Sequence, residues 1–164
     1  MKYVGVKHEP EQTITYWFEV PDNVARQISV GSSVICDTRR GSMTGIVEQI
    51  MDGIPQNIAR SVVGDHFPLK KILAVSKNIP IQKIRIPWEM EKNSPSPEEI
   101  AERVREYYNH GKFDTTVICD EDGNLEEGYS AYLVAKMFSH DTIRVLMYSR
   151  EENGEEGSDD DWFI

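Results

Sequence analysis

From Ile79 to Met147 the apolar residues change period in a set order, and that order limits the fold more than any single motif does. Ile79, Ile81, Ile84 and Ile86 alternate with polar neighbours in NIPIQKIRIP, which predicts an extended segment. Ser96, Pro97, Glu98 and Glu99 then form a helix start. The serine can cap a free amide, proline suits the first helical position, and the acids complement the positive end of the helix dipole. Ile100, Val104 and Tyr107 follow at helical spacing, and Gly111 stops the helix. FDTTVICD predicts a strand and EDGN its turn. GYSAYLVAKMF predicts a second helix with Ala131, Val134 and Ala135 along one side, and DTIRVLMYS a closing strand. Strand, helix, strand, turn, helix, strand is the order of an α+β or α/β unit.

The residues before it read as β-structure. KYVGVKH and TITYWFEV are short and rich in β-branched and aromatic residues, and Gly31 and Gly41 divide QISVGSSVICDTRRGSMTGIVEQI into three further strands. Short strands so closely spaced predict a small barrel or sandwich, with DHFPLKKILAV closing it. QNIARSVV, between the turn signals Asp52-Gly53 and Gly64-Asp65, predicts a helical turn. The expected organisation is a small barrel-like β-domain over residues 1–75, an α+β domain over 76–149 and a tail over 150–164. After Arg150 the chain reads EENGEEGSDDDWFI, with seven acids and no apolar residue before Trp162. Such a segment buries too little apolar surface to offset the entropy of ordering it, so disorder in the free state is expected.

The net charge of −10 is uneven: residues 93–164 carry eighteen acids against six basic groups, whereas residues 60–92 carry seven basic groups and three acids. The overall sign disfavours broad contact with nucleic acid, because phosphates need a positive face. Arg39-Arg40 and Lys70-Lys71 leave a local nucleic-acid contact open. There is no run of eighteen apolar residues to span a membrane, and the N-terminal residues lack the apolar stretch of a secretory signal, so the cytoplasm is the expected location. Cys36 and Cys119 sit in apolar runs without a CxxC partner and are expected to be small buried hydrophobes. His8, His66, His110 and His140 are scattered and are expected at the surface. Asp120, Asp122 and Asn124 have the spacing of a calcium loop. Leu125 stands where that loop needs glycine, however, and Ala131 where it needs a bidentate glutamate. A hairpin turn without metal is the expectation.

On IPIQKIRIP, PSPEEIAERVREYYNHGKF, TTVICDEDGNLEEGYSAYLVAKMF and DTIRVLM, the chain resembles the ParB/sulfiredoxin superfamily, which includes the ParB-like nuclease domains, over residues 79–149. On YVGVK and VGSSVICDTRRGSMTGIV, residues 1–50 resemble the small β-domains of PSP1-like proteins and of the primosomal helicase PriA. The first resemblance implies that the glycine-led helix start handles phosphate, as free amides at a helix N-terminus attract anions. Gly128 matches the family's glycine, and Tyr129 stands where sulfiredoxins carry cysteine. Ser130 stands where a histidine or arginine is common, and Ala131 where an arginine is expected. Gly128, Tyr129 and Ser130 are therefore the candidate ligand-binding residues, in a cradle without its cation and with Glu126 and Glu127 adding negative charge beside it.

These departures imply a non-catalytic ParB-like binding or adaptor protein of plasmid or phage type, acting in DNA maintenance through protein contacts and needing no cofactor. Asp159, Asp160, Asp161, Trp162, Phe163 and Ile164 resemble the acidic tail of bacterial single-stranded-DNA-binding proteins. That resemblance implies a protein partner with an apolar pocket rimmed by basic residues. Two alternatives stay open. One is an active nuclease or nucleotide hydrolase, with Asp120 and Glu127 holding a divalent metal. The other is an acidic DNA mimic that inhibits a nucleic-acid enzyme.

Overall fold

Tyr3, Val4 and Val6 are all buried, so β1 (Lys2–Lys7) is covered on both faces. It lies between two antiparallel neighbours, β2 (Tyr16–Val20) and β4 (Gly41–Asp52), and β4 pairs in turn with β3 (Ser33–Thr38). The strand order is β2-β1-β4-β3. The computed structural model describes residues 1–64, 69–113 and 115–150. They fall into two units, Met1–Leu73 with Ser149 and Arg150, and Ala74–Tyr148. The β3–β4 hairpin turns at Arg39 and Arg40: Thr38 Oγ1 donates to the Gly41 carbonyl at 2.6 Å and accepts from the Arg40 amide at 3.2 Å. Each outer strand bonds to the residues just before β5 (Ile72–Pro80). The Glu19 amide donates to the Lys70 carbonyl at 2.9 Å, and the Asp37 amide to the Lys71 carbonyl at 3.1 Å.

Two short helices complete the first unit, α1 (Asp22–Ala25) and α2 (Gln56–Val63). Ala59 and Val63, one turn apart on α2, pack with Tyr3 and Leu69 into a buried cluster. The expected strand at Gln27–Val30 is absent. Its amides are taken by the turn leaving α1, with Gln27 donating to Val24 at 3.0 Å and Ile28 to Ala25 at 3.4 Å. Amides bonded locally have nothing to offer a ladder.

In the second unit the strand order is β5-β8-β6-β7, with β8 (Thr142–Tyr148), β6 (Ile118–Cys119) and β7 (Leu125–Glu127). β8 runs antiparallel to β5 and parallel to β6, and β6 is antiparallel to β7. The helices are α3 (Trp88–Lys92), α4 (Pro97–His110) and α5 (Tyr129–Met137). The ends of α4 follow the sequence signals. Ser96 Oγ accepts from the Glu99 amide at 3.2 Å, and Gly111, at φ +68°, donates to the Tyr107 carbonyl at 2.8 Å. The fold is mixed α+β.

IPIQKIRIP is not one extended segment. β5 stops at Pro80, which has no N–H for a further rung, and Ile81–Lys83 form a 3₁₀ turn. Arg85 then pairs with the far side of the sheet: its amide donates to the Gly123 carbonyl at 2.9 Å and its carbonyl accepts from Leu125 at 2.8 Å. Ile79, Ile81 and Ile84 are all buried, so the alternation reflects a chain that bends while keeping its isoleucines inward. α3 has no counterpart among the elements expected from the sequence. The expected tail, including Asp159–Ile164, lies outside the described residues after Arg150, as do His66 and Asp114. Among the described residues no helix is long and apolar enough to cross a membrane.

Candidate functional site

Gly128 enters α5 at φ +89° and ψ 28°, in the left-handed region. A Cβ there would lie 2.8 Å from both the Thr116 carbonyl oxygen and Val117 Cα, so only glycine allows this approach of backbone to backbone. The first helical bond runs from the Tyr132 amide to the Gly128 carbonyl at 3.0 Å, and the amides ahead of Tyr132 have no partner within the helix. Gly128, Tyr129 and Ser130 line a cleft of about 580 Å³. Glu89 from α3 and Glu99 and Arg103 from α4 line it with them.

Arg103 overturns the expectation of a cradle without a cation. The guanidinium comes from α4 rather than from the first turn of α5. Ala131, where the resemblance expects arginine, is fully buried and belongs to the core. Glu99, Arg103 and Glu106 repeat at helical spacing, so one face of α4 carries all three, beside the apolar stripe of Ile100, Val104 and Tyr107. That spacing is the signal in the sequence that could have located the cation.

Arg103 does not stand alone. Its side chain is 14% exposed, and a charge so far from water needs partners. Nη1 lies 3.1 Å from Glu106 Oε1 and Nη2 lies 3.2 Å from Glu102 Oε2. Nε is buried without a hydrogen-bond partner. Thr115 Oγ1 donates to the Glu106 carboxylate, 3.2 and 3.3 Å from its two oxygens. Four carboxylates, those of Glu89, Glu99, Glu102 and Glu106, thus line the cleft or pair with this guanidinium.

The other candidate residues are placed apart. Asp120 Oδ1 accepts from the amides of Asp122 and Asn124, both at 2.9 Å, and Oδ2 accepts from Asn124 Nδ2 at 3.0 Å. The carboxylate therefore braces the β6–β7 turn, as aspartates at turns do. Glu127 is exposed on β7, opposite Ile118. Among the described residues no group of three or more His, Cys, Asp or Glu side chains is set to hold a metal. Arg39 and Arg40 are exposed at their hairpin tip. Lys70 Nζ lies 3.9 Å from Asp37 Oδ2, on the strand that leads into the Arg39–Arg40 turn. Lys71 is half-buried.

Both cysteines are buried. Burial pushes the Cys36 thiol up to about 12. Burial, with the charges of Asp120 and Glu126 adding, pushes Cys119 up to about 11. A raised folded pKa means that the neutral thiol is favoured by folding. That contribution is full below the ordinary value of 9.0 and is lost as pH rises through about 11 to 12. Thiolate is the reactive form, so iodoacetamide at neutral pH should leave both cysteines unmodified in the native chain and alkylate both in urea, as read by mass spectrometry. Rapid native alkylation of either would contradict this placement.

No family model matches the chain, and no curated protein matches it. Among solved structures, a Pnob8-like ParB-N domain is similar at 17% sequence identity and a TM-score of 0.41. The match covers 51% of this chain and 33% of that one, so the chain spans about a third of the structure it resembles.

Proposed function

We propose that the chain is a non-catalytic ParB-like binding or adaptor protein of plasmid or phage type, working in DNA maintenance through protein contacts rather than by turning over a nucleotide. The state of Arg103 carries this reading. Its two terminal nitrogens are already answered by Glu102 and Glu106, and Glu89 and Glu99 line the same cleft. A triphosphate entering there would meet more negative charge than positive, four carboxylates against one guanidinium. Asp120 and Glu127, the pair a metal-dependent nuclease would need, are respectively bound into a turn and exposed on a strand.

The ParB-like part of the proposal rests on the sequence resemblance and on Ala74–Tyr148 keeping the expected alternation from α4 through β8. The N-terminal part is read as a small barrel-like β-domain, a reading supported by the bonds from both β2 and β3 to Lys70 and Lys71. Asp159–Ile164 would recruit the protein partner.

A second, nucleotide-binding reading is favoured by one atom. Arg103 Nε is buried and unpartnered, and a ligand oxygen in the cleft could satisfy it. Calorimetric titration with CTP and ATP, with and without magnesium, separates the two. The adaptor reading expects no saturable binding below about 1 mM, equivalent to about 4 kcal/mol. Micromolar binding that is lost in Arg103→Ala would overturn it in favour of the second.

A further inference from the structure

Where α4 and α5 end, the second unit carries an aromatic face that the cleft does not use. Tyr107 is its hub. Its ring stacks on Phe138 at 5.2 Å, meets His140 edge-on at 5.0 Å and lies 5.7 Å from Phe113. Tyr108 stands edge-on to Phe138 at 5.9 Å. The inner rings are partly covered, but Tyr108 is 72%, Met137 63% and Phe138 37% exposed. Adjacent large apolar side chains left open to water mark a docking surface more often than scattered ones do.

The charge around this face is mainly basic. Arg105 lies one turn before Tyr108 on α4, Lys112 precedes Phe113, and Lys136 lies in the last turn of α5, all three exposed. His110 ends α4, and Asp141 is the acid next to His140. An aromatic centre with cations around it has the same chemistry that the sequence of Asp159–Ile164 calls for in a partner.

We propose that this face binds an acidic peptide carrying aromatic and aliphatic side chains next to its acids, and that the chain's own Asp159–Ile164 is that peptide. Trp162, Phe163 and Ile164 would supply apolar surface to Tyr108, Met137 and Phe138. Asp159, Asp160 and Asp161 would face Arg105, Lys112 and Lys136. The reach is sufficient. β8 begins four residues after Phe138, and its seven residues carry the chain about 20 Å to Tyr148. The fourteen residues after Arg150 extend up to about 45 Å, roughly twice what a return along the strand needs. The inference rests on reading Asp159–Ile164 as a docking segment and adds what it docks on. A segment held on its own face is withheld from an outside protein, so this contact would regulate recruitment.

The test is fluorescence anisotropy of a labelled peptide of residues 158–164. It is titrated with the full chain carrying Trp162→Ala and Phe163→Ala, so that the chain's own segment does not compete. Binding should be saturable. Tyr108→Ala, or Lys112→Glu with Lys136→Glu, should weaken it about ten-fold, since anchors in an aromatic face carry most of such an interaction. Raising salt from about 50 to about 300 mM should weaken it at least about three-fold. These side chains are exposed, so the variants should keep the circular dichroism spectrum of the parent. Absence of saturable binding, or binding indifferent to all of these substitutions, overturns the proposal. If the peptide fails to bind while Trp162→Ala with Phe163→Ala abolishes capture of a cellular protein, this inference falls and the recruiting role of the segment stands.

Discussion

Gly128→Ala should destabilise the chain by about 3 kcal/mol, the sum of two separable effects. An alanine held at φ +89° costs about 1–2 kcal/mol for its left-handed backbone. Its Cβ would also press on the Thr116 carbonyl oxygen and Val117 Cα at 2.8 Å. Both are backbone atoms that cannot rotate away, and forced overpacking of this kind costs about 1–3 kcal/mol. Gly31→Ala separates the two effects. Gly31 has φ +94° with nothing within 4 Å of an added Cβ, so its substitution should show the backbone penalty alone, about 1–2 kcal/mol. Urea denaturation of both variants provides the comparison, with the m-value checked for constancy. Equal losses at the two positions would mean that the contact between the start of α5 and Thr116–Val117, just ahead of β6, relaxes freely. The glycine would then be open to a different explanation, such as ligand approach.

Tyr3→Ala should be at least as severe, at about 3–5 kcal/mol, the usual range for removing a buried aromatic ring. The ring is 1% exposed and sits with Ala59, Val63 and Leu69, and Trp17, Met51 and Ile54 pack against the cluster. Removing it takes away the surface on which α2 rests. Tyr3→Phe is the control: it deletes only the hydroxyl, which donates to Met1 Sδ at 3.0 Å, and should cost no more than about 1 kcal/mol. Denaturation followed by tryptophan fluorescence suits this site because Trp17 adjoins the cluster. A Tyr3→Ala chain as stable as Tyr3→Phe would show that α2 contributes little to holding the first unit together.

Local chemistry was legible wherever it acted through neighbouring residues. The cap at Ser96, the stop at Gly111 and the Asp120–Asn124 turn all involve bonds that close within five residues. The glycine and the two residues after it were also legible, and they do line a cleft. What sequence patterns could not show depended on the far side of a contact. The isoleucines of IPIQKIRIP look alternating whether the chain runs straight or bends at Pro80. Only the pairing of Arg85 with Asn124 decides it. Gln27–Val30 looks strand-like in composition, but its amides are already committed to the turn after α1. Arg103 was missed for a related reason. The resemblance expects a cation along the first turn of α5, whereas the packed neighbour helix α4 supplies it. The position where the motif expects it, Ala131, has no room for a charge.

The crossing of the chain from β5 to Arg85 has one more consequence. An unpaired strand margin exposes a row of donors and acceptors that can recruit another polypeptide, the usual seed of edge-to-edge aggregation. β7 is three residues long, and at Leu125 its outward amide is already bonded to Arg85. The connecting segment therefore occupies the Leu125 end of that rim, so an invading strand would find the place where pairing would begin already taken.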